Sequence, residues 1–297
     1  MILVTGATGF IGSNLVPRLV LSSNVRCLIR PASANKLKRD ISVEIFAKDL
    51  ASAEDLESAL HGIRCVIHLA ALLRKEDPEE IHKVNVEGTR RLVEAAKKQG
   101  VSRFIFVSTE NALRDDLHDA YATSKREAEN IVRSFPNHLI IRPCFIYGRG
   151  DNHGLGRLFS MAKNSAVVPL FGGLEKPIQP IYIDDMVEYL VRAVQNDLRG
   201  EYLIAGCETI SINQFIKKAL KAAHLEKTCI TMPYFFYYLA AILGDLFFRS
   251  AGWGMTQLEN IYDSRTYSID ETVRAFNYSP RSLEVGLAEW LGAPLNQ

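Results

Sequence analysis

The sequence contains few cysteines, and their spacing excludes several kinds of structure. The five cysteines are Cys27, Cys65, Cys144, Cys207 and Cys229, and no two of them form a Cys-x-x-Cys pair. An odd number of widely separated cysteines is not typical of a disulfide framework or a zinc site. We therefore expect no metal centre and a reducing, cytoplasmic environment.

Net charge and long apolar runs are also scarce. The 35 basic and 34 acidic side chains leave a net charge of +1, which gives no long-range attraction to nucleic acid. An apolar run begins at Ile2, so no signal peptide is expected. Residues 232–248 form the longest apolar stretch, which Pro233 and Gly244 interrupt and which is short for a bilayer. We predict no integral membrane span and interpret this stretch as a buried or partner-facing helix, with monotopic membrane contact as the alternative.

The first half of the sequence alternates short apolar runs with amphipathic segments, a pattern typical of a doubly wound parallel α/β sheet. The predicted strands are residues 2–4, 25–29, 43–46, 65–71 including the exit of that strand, 104–107, 139–141, 181–183 and 202–204. The predicted helices begin at Phe10 and cover residues 53–61, 78–99, 121–135 and 184–195, followed by one that Ser211 caps. Beyond Pro143 the alternation loosens and glycines accumulate.

Three glycines at three-residue spacing, Gly6, Gly9 and Gly12, separate the first predicted strand from the first helix. Backbone N–H groups in such a turn point at an anion, and the helix adds its positive end. The pyrophosphate of a dinucleotide is the usual ligand in this position. The alternative is a tight turn that only lets the helix approach the sheet. Gly-x-x-Gly-x-x-Gly is the spacing typical of short-chain dehydrogenase/reductases.

The residue after the second predicted strand bears on which dinucleotide binds. NAD-binding proteins of this type place an acidic residue there for the ribose hydroxyls, whereas this sequence has Arg30. A guanidinium pairs well with a 2′-phosphate. The sequence therefore favours NADP over NAD as the cofactor. The alternative is that Arg30 faces solvent at the end of a strand.

Residues 121–125 read YATSK, which puts Tyr121 four positions before Lys125 at a helix start. Such positions share a helix face, so the ammonium favours the tyrosinate. Lowering a phenol pKa from ~10 to about 7 requires roughly 4 kcal/mol. The preceding strand ends at Ser108 and Thr109, whose hydroxyls can hydrogen-bond a reacting oxygen while the tyrosine exchanges its proton.

These features together resemble the extended short-chain dehydrogenase/reductases, the group of nucleotide-sugar epimerases and dehydratases, 3β-hydroxysteroid dehydrogenases and dihydroflavonol reductases. The resemblance covers nearly the whole chain and includes the motifs HLAA at 68–71, NVEGT at 85–89, FVST at 106–109, RPCFIYG at 142–148 and IYIDD at 181–185. It implies that Thr109, or Ser108 as the second choice, contacts the substrate oxygen. Tyr121 is then the acid/base, and Lys125 holds the nicotinamide ribose. His68 is interpreted as a packed structural residue.

The resemblance also implies a cofactor set, a substrate set and a division of the chain. The cofactor residues are Gly6, Thr8, Gly9, Phe10, Ile11, Gly12, Arg30, Asp49, Leu50, Leu69, Ala70, Ala71, Asn85, Tyr121, Lys125 and Pro143. The substrate residues are Asn111, Arg142, Tyr147 and Gln179, with a structural ion pair as the alternative for Arg142. An NAD(P)-binding Rossmann domain is predicted at 1–150, with 178–206 returning to it. Residues 151–177 and 207–297 form a smaller, helix-rich substrate-binding part, which is expected to cover the cofactor crevice.

Two departures from the sugar epimerases leave the substrate open. The loop 109–121 is short and lacks their Val-Tyr-Gly, and residues 176–180 contain no arginine for a sugar-nucleotide diphosphate. We predict an oxidoreductase that moves a hydride between nicotinamide and a secondary alcohol or ketone carbon, as an epimerase/dehydratase or as a ketone or aldehyde reductase. The alternative is a non-catalytic NADP(H)-binding scaffold or sensor like the relatives associated with respiratory complex I. A homodimer through helices 78–99 and 121–135 is implied by the resemblance.

Overall fold

The computed structural model describes residues 1–36, 42–51, 55–73, 77–114, 116, 119–172, 177–233, 235–236 and 266–292. The chain forms two compact units. The first comprises Met1–Pro143, Met186–Ile204 and Glu271–Tyr278. The second comprises Cys144–Asp185, Ala205–Asp270 and Ser279–Gln297.

The regular elements of the described residues are numbered in chain order. The strands are β1 (Ile2–Thr5), β2 (Val25–Ile29), β3 (Glu44–Ala47), β4 (Cys65–His68), β5 (Arg103–Val107), β6 (His138–Pro143), β7 (Ile146–Tyr147), β8 (Val167–Phe171), β9 (Pro177–Ile178), β10 (Ile181–Tyr182), β11 (Gly200–Ile204), β12 (Ile210–Ser211) and β13 (Thr228–Met232). The helices are α1 (Phe10–Leu19), α2 (Glu57–Leu60), α3 (Pro78–His82), α4 (Gly88–Lys98), α5 (Ala120–Val132), α6 (Leu155–Asn164), α7 (Ile183–Gln195), α8 (Ile212–Ala222), α9 (Asp270–Phe276) and α10 (Leu283–Leu291).

A seven-stranded parallel sheet in the order β3-β2-β1-β4-β5-β6-β11 forms the centre of the first unit. Every residue of β1, β2, β4 and β5 is buried. Strands covered on both faces are mostly apolar, which is why these strands read as short apolar runs in the sequence, and the buried polar residues among them, Arg26, His68 and Arg103, have hydrogen-bond partners. The predicted doubly wound parallel sheet is confirmed, including the return of the chain to its edge at β11.

Helices pack on this sheet through a continuous apolar core. Leu92 and Val93 of α4 and Ala128 of α5 join Phe104 and Ile140 of the sheet in one buried cluster. The apolar residues of α4 recur at helical spacing, whereas its lysines and arginines lie on the exposed side. This core fixes the helices that follow β4 and β5 against the strand ends from which they emerge.

The second unit has an aromatic core of its own. The Tyr147 ring lies 5.5 Å from that of Tyr182, 5.3 Å from that of Phe215 and 5.9 Å from that of Trp290, measured between centroids. These rings come from β7, β10, α8 and α10. Offset and edge-on ring pairs at such separations are favourable beyond the area that they bury. The strands of this unit form two-stranded pairs: β7 with β10 and β8 with β13 are parallel, and β9 with β12 is antiparallel.

Some elements differ from the sequence predictions. The single helix predicted at 78–99 is divided into α3, a π-helical turn at Lys83–Glu87 and α4. Of the helix predicted at 53–61 the structure has α2, and residues 52–54 lie outside the described residues. Helix α6 and strands β8 and β13 were not predicted. Most of the apolar stretch 232–248 also lies outside the described residues. Within the described part of the chain, no helix is both long enough and apolar enough to cross a membrane.

Candidate active site

The predicted cofactor residues lie in a row along the carboxyl edge of the parallel sheet. Because the strand order is β3-β2-β1-β4-β5, the segments that leave these strands follow one another in space. The row therefore runs from Asp49 through Arg30 and the glycine turn to residues 69–71 and then Ser108 and Thr109. Ligands of open α/β sheets bind at this edge, close to the point where the strand order reverses.

In the glycine turn the backbone packs so closely on neighbouring backbone atoms that Gly6 and Gly12 have no room for a side chain. Gly6 has φ +70°, and a Cβ atom there would lie 2.7 Å from the backbone nitrogen of Ala70. A Cβ atom on Gly12 would lie 2.3 Å from the carbonyl oxygen of Gly6. No side chain caps helix α1 at Gly9. The Gly9 carbonyl oxygen accepts a helical hydrogen bond from the backbone N–H of Ser13. The N–H groups of the first helical turn, which come before Ser13, therefore have no acceptor within the helix. This cradle fits the pyrophosphate of a dinucleotide.

Arg30 and Asp49 occupy the neighbouring positions of the row. Arg30 follows β2 directly, is exposed, and forms no ion pair within the described part of the chain. Asp49 follows β3, and its carboxylate accepts from the backbone N–H of Ala51 at 2.9 Å. Leu50 beside it is buried against Gly88 of α4. An exposed guanidinium at this position is available to pair with an anionic group.

A buried hydrogen-bond chain fixes the exit of β4. The Ala70 N–H donates to Thr5 Oγ1, which lies 2.6 Å from His68 Nδ1, and His68 Nε2 lies 2.9 Å from Thr89 Oγ1. Thr89 in turn donates to the carbonyl oxygen of Asn85 at 2.6 Å. A carbonyl can only accept, so His68 must donate from Nε2 and accept at Nδ1. Burial, with Lys125 nearby, lowers the pKa of His68 to about 3, which keeps this neutral tautomer. His68 is structural, as interpreted from the sequence.

Asn85 connects that chain to the helix of the YATSK motif. On the π-helical turn, its Oδ1 accepts from the backbone N–H of Leu72 at 2.7 Å, and its Nδ2 donates to the Leu72 carbonyl and to Ser124 Oγ, both at 3.0 Å. Ser124 donates to the carbonyl oxygen of Tyr121 at 2.8 Å. Ser124 was not predicted as a site residue. The available signal in the sequence was its position between Tyr121 and Lys125. π-Helical turns are frequent at functional sites, and here one sets the direction of Asn85.

Lys125 is buried and reaches the end of β5. Its ammonium donates to the carbonyl oxygen of Val107 at 2.7 Å and lies 3.9 Å from the centroid of the Phe106 ring. Burial lowers the pKa of Lys125 to about 7, against the opposing effect of Glu129. The ammonium therefore changes charge near neutrality, and it lies at the carbonyl oxygen of Val107, two residues before Thr109. An ammonium has three donors, so one hydrogen bond leaves capacity for ribose hydroxyls.

Lys125→Met is expected to flatten the pH dependence of stability above pH 7. Unfolding restores the ordinary lysine pKa of 10.5, so between pH 7 and 10.5 the unfolded chain holds a proton that the folded chain has released. The free energy of unfolding of the wild type then rises by up to about 1.4 kcal/mol per pH unit from this group. Urea unfolding at pH 7 and about pH 9.5 measures this slope, with exposed Lys97→Met as the matched control. Equal slopes in Lys125→Met and the wild type would contradict the burial argument.

The two candidate hydroxyls at the end of β5 differ in their surroundings. Thr109 Oγ1 accepts from the backbone N–H of Asn111 at 3.3 Å and so caps the 3-10 helix Glu110–Leu113. Ser108 Oγ is buried and has no hydrogen-bond partner within the described part of the chain. Arg126 of α5 donates to the Ala112 carbonyl at 3.1 Å, which ties this short helix to α5. A buried hydroxyl without a partner beside the cofactor row fits a site that is completed by a ligand.

Arg142 is held in a buried ion-pair cluster. Its guanidinium donates to both carboxylate oxygens of Glu129, at 2.8 and 2.6 Å, and also pairs with Glu201. Arg133 contacts the same two carboxylates from the more exposed side. The Arg133 and Arg142 hydrogen bonds lower the pKa of Glu201 to about 2. This geometry corresponds to the alternative interpretation of Arg142, a structural ion pair.

Of the three other predicted substrate residues, Asn111 lies on the 3-10 helix of the first unit, and Tyr147 and Gln179 belong to the second unit. The Tyr147 side chain is enclosed by aromatic rings, and its burial raises the pKa of the phenol. Gln179 is buried and bonds both backbone groups of Tyr267, donating to the carbonyl at 3.0 Å and accepting from the N–H at 2.5 Å. Both side chains are therefore engaged within that unit. Neither is placed against a substrate by these contacts.

The family follows from a sequence comparison that agrees with this geometry. A profile of the NAD dependent epimerase/dehydratase family matches residues 2–205, which include every part of the cofactor row. The chain belongs to this family. It is thus a Rossmann-fold, NAD(P)-binding member of the short-chain dehydrogenase/reductase oxidoreductases, in agreement with the resemblance found in the sequence.

Known proteins of several activities are similar to the chain. It is 36% identical to a ceramide reductase of Caulobacter vibrioides over 202 residues, which are 67% of this chain and 62% of that protein. It is 26% identical to a UDP-glucose 4-epimerase of Vibrio cholerae over 276 residues, covering 84% of this chain and 83% of that protein. The crystal structure of the Thermotoga maritima UDP-glucose 4-epimerase with UDP-glucose superimposes with a TM-score of 0.79 at 22% identity, covering 98% and 97% of the two chains. The last of these supports the fold alone.

Proposed function

We propose that the chain is an NADPH-dependent reductase of a ketone. The observation that carries this proposal is Arg30, an exposed guanidinium beside the glycine turn in the position that reads the adenosine ribose. A 2′-phosphate is recognised by such a group, and NADPH is the usual donor for reductions that release oxidised cofactor. The higher identity to the ceramide reductase than to the sugar epimerase supports the same choice. That match spans less than two thirds of the reductase, so the substrate of the reductase is not assigned to this chain.

The residues of the first unit have separate roles in the proposed reaction. A bound nicotinamide supplies the hydride for the carbonyl carbon. The Tyr121 hydroxyl donates a proton to the carbonyl oxygen, and Thr109, with Ser108 as the second choice, hydrogen-bonds that oxygen. Lys125 binds the nicotinamide ribose and, while protonated, stabilises the tyrosinate that remains. Asn85 donates to Ser124, and Ser124 donates to the carbonyl oxygen of Tyr121. These two side chains thereby hold the first turn of α5 and keep Tyr121 in position.

Arg30→Asp is expected to weaken NADPH binding by about 10- to 100-fold, the range of one charge-assisted hydrogen bond. The new carboxylate repels the 2′-phosphate and accepts from ribose hydroxyls, so NADH binding should be unchanged or tighter. Titration of cofactor-free protein with NADPH and NADH gives the two Kd values. The matched control is Arg64→Asp. Arg64 is exposed and immediately precedes β4, at the amino ends of the strands, whereas the cofactor row lies at their carboxyl ends. An unchanged ratio of the two Kd values would remove Arg30 as the phosphate-binding group.

The family match supports a second candidate, a nucleotide-sugar epimerase that returns the hydride within one turnover. The two are separated by incubating the protein with NADPH and a ketone panel, or with NAD and UDP-glucose. Net oxidation of NADPH in proportion to the alcohol formed supports the reductase. Sugar interconversion without net change of the cofactor supports the epimerase. Cofactor binding with neither reaction over broad panels of both substrates would favour the non-catalytic scaffold, which the similar enzymes do not favour.

A further inference from the structure

Helix α5 carries a series of ionisable side chains on successive turns. Tyr121, Lys125, Glu129 and Arg133 are spaced four residues apart, so they follow one another along one side of the helix. Lys125 is 2% exposed and Glu129 is 1% exposed, so two neighbouring members of the series are buried and of opposite charge. The series joins the predicted acid/base at the start of α5 to the ion-pair cluster near its end.

The ion-pair cluster binds Glu129 in the manner of a carboxylate. Glu129 Oε1 accepts from Arg142 Nε at 2.8 Å, and Oε2 accepts from a second nitrogen of the same guanidinium at 2.6 Å. Arg133 also donates to Oε2, at 3.2 Å. Two parallel hydrogen bonds from one guanidinium are the bidentate geometry of an ionised acid. A buried negative charge therefore lies one helical turn from Lys125.

The groups that β4 and β5 place around the Lys125 ammonium are neutral. They are the carbonyl oxygen of Val107, the Phe106 ring and His68, which burial keeps uncharged. Burial lowers the pKa of Lys125 to about 7, and the charge of Glu129 opposes that effect. A carboxylate one turn away favours the protonated form of the lysine, because only the ammonium is attracted to it.

Other ionisable side chains lie on the elements that pack on α5. They are His82 of α3, Lys83 and Glu87 of the π-helical turn, Glu110 and Arg114 at the 3-10 helix, and Arg142 of β6. The charged residues of α4 lie on its exposed side. His82 contacts the exposed Glu127 at 3.3 Å, and Arg142 is bound to Glu129. Glu129 differs from all of these because it is buried on α5 itself, one turn from Lys125.

We propose that Glu129, held by Arg142 and Arg133, is a positioning residue that keeps Lys125 protonated around neutral pH. This role rests on the proposed function. In the reduction of a ketone, the Tyr121 proton moves to the carbonyl oxygen, and the protonated Lys125 stabilises the tyrosinate that remains. A neutral lysine cannot do so. The pH at which Lys125 loses its proton therefore limits the reaction on the alkaline side, and the ion-pair cluster sets that pH without touching the substrate.

The pKa of Lys125 in the cofactor-free protein tests this coupling without any turnover. Protein that is isotope-labelled at the lysine Cε atoms is titrated by NMR, and the signal missing from Lys125→Met identifies Lys125. Glu129→Gln keeps the size of the side chain and removes its charge. It should lower the pKa of Lys125 by about 1, a roughly tenfold loss of proton affinity, which is the lower end of the effect of a close opposite charge.

Three further variants separate the charge of Glu129 from damage to the cluster. Glu127→Gln removes a carboxylate from the exposed side of α5 and should leave the pKa of Lys125 unchanged. Glu201→Gln removes a carboxylate from the same cluster, but on β11, and should lower that pKa much less than Glu129→Gln does. Glu129→Met with Arg142→Met removes the buried pair as a whole and should also lower it. This double variant keeps the test decisive if Glu129→Gln does not fold.

The pH profile of ketone reduction is the second measurement. The alkaline fall of kcat should move to lower pH in Glu129→Gln by the same amount as the pKa of Lys125. An unchanged pKa of Lys125 in both Glu129 variants, or an equal fall in Glu201→Gln, would overturn the proposal. So would an alkaline fall of kcat that stays in place while the pKa decreases. Failure to reduce any ketone would contradict the proposed function, whereas the NMR titration would still decide whether Glu129 acts on Lys125.

Discussion

Tyr121→Phe is expected to lower kcat by about 100- to 10,000-fold, the contribution of a positioned general acid. The phenyl ring keeps the shape of the side chain at the start of α5 but has no proton to donate. The Kd of the nicotinamide cofactor should change little, because Lys125 and the glycine turn are untouched. Single-turnover rates at saturating cofactor, together with Kd values, separate the two effects.

Tyr202→Phe is the matched control for that prediction. Tyr202 lies on β11 at the edge of the sheet, where its ring packs on Phe276. Loss of one hydroxyl there should leave kcat within about twofold of the wild type, as expected for a residue remote from the chemistry. If Tyr121→Phe keeps a wild-type kcat while Thr109→Ala loses it, the proton comes from a group other than Tyr121.

Arg142→Met is expected to lower the free energy of unfolding by about 3 to 5 kcal/mol without a specific effect on KM. Glu129 has a side chain that is 2% exposed, and it would lose a two-point partner in a place that water does not reach. A carboxylate left without its partner in a buried site is costly. Urea unfolding at pH 7 measures the loss, and KM is measured well below the urea midpoint.

Two further variants test the reason for that loss. Arg142→Met with Glu129→Met removes both charges and should recover most of the stability, because the cost lies in a buried carboxylate that keeps only its contact with Arg133 at 3.2 Å. Arg133→Met removes the half-exposed arginine of the same cluster and should cost about 1 kcal/mol or less. A KM increase in Arg142→Met at unchanged stability would return Arg142 to the substrate residues.

The sheet was predictable because its strands are covered on both faces. Val25–Ile29 and Cys65–His68 are buried at every position, so apolar residues such as Cys27–Ile29 and Cys65–Ile67 follow one another without alternation. The glycine turn was predictable for a related reason, since Gly6 and Gly12 have no room for a Cβ atom. Burial of consecutive strand residues and a backbone turn without room for Cβ atoms each restrict the residue types within a short segment, so both can be recognised in the sequence.

The missed elements depend on contacts that the sequence does not display. Helix α6 contains Gly156, where a Cβ atom would lie 2.4 Å from the carbonyl oxygen of Asp151. The glycine permits a close approach, but in the sequence it reads as a loop. The π-helical turn at Lys83–Glu87 leaves the apolar periodicity of its surroundings almost unchanged, so one continuous helix was predicted. Whether Arg142 meets a substrate or a carboxylate depends on Glu201, which is 59 residues away.

The site residues were recognisable as types, whereas their connections were not. The sequence pointed to Tyr121, Lys125 and Asn85 through their motifs. It did not reveal that Ser124 links Asn85 to the Tyr121 carbonyl, or that Thr5 and Thr89 hold His68 from both sides. Hydroxyl groups are common in helices and at strand ends, so only their tertiary partners distinguish them.

The central position of β1 has a consequence for the protein as it is synthesised. β1 is synthesised before the six other strands of its sheet, yet in the sheet it lies between β2 and β4. Its partner Val25–Ile29 follows soon, whereas Cys65–His68 emerges some sixty residues after β1. Until then one edge of an apolar strand is unpaired, a state that favours association with other nascent chains. When β4 arrives, the contact of Thr5 with His68 fixes its register, so the hydrogen-bond chain that later shapes the cofactor row also closes the earliest exposed edge of the fold.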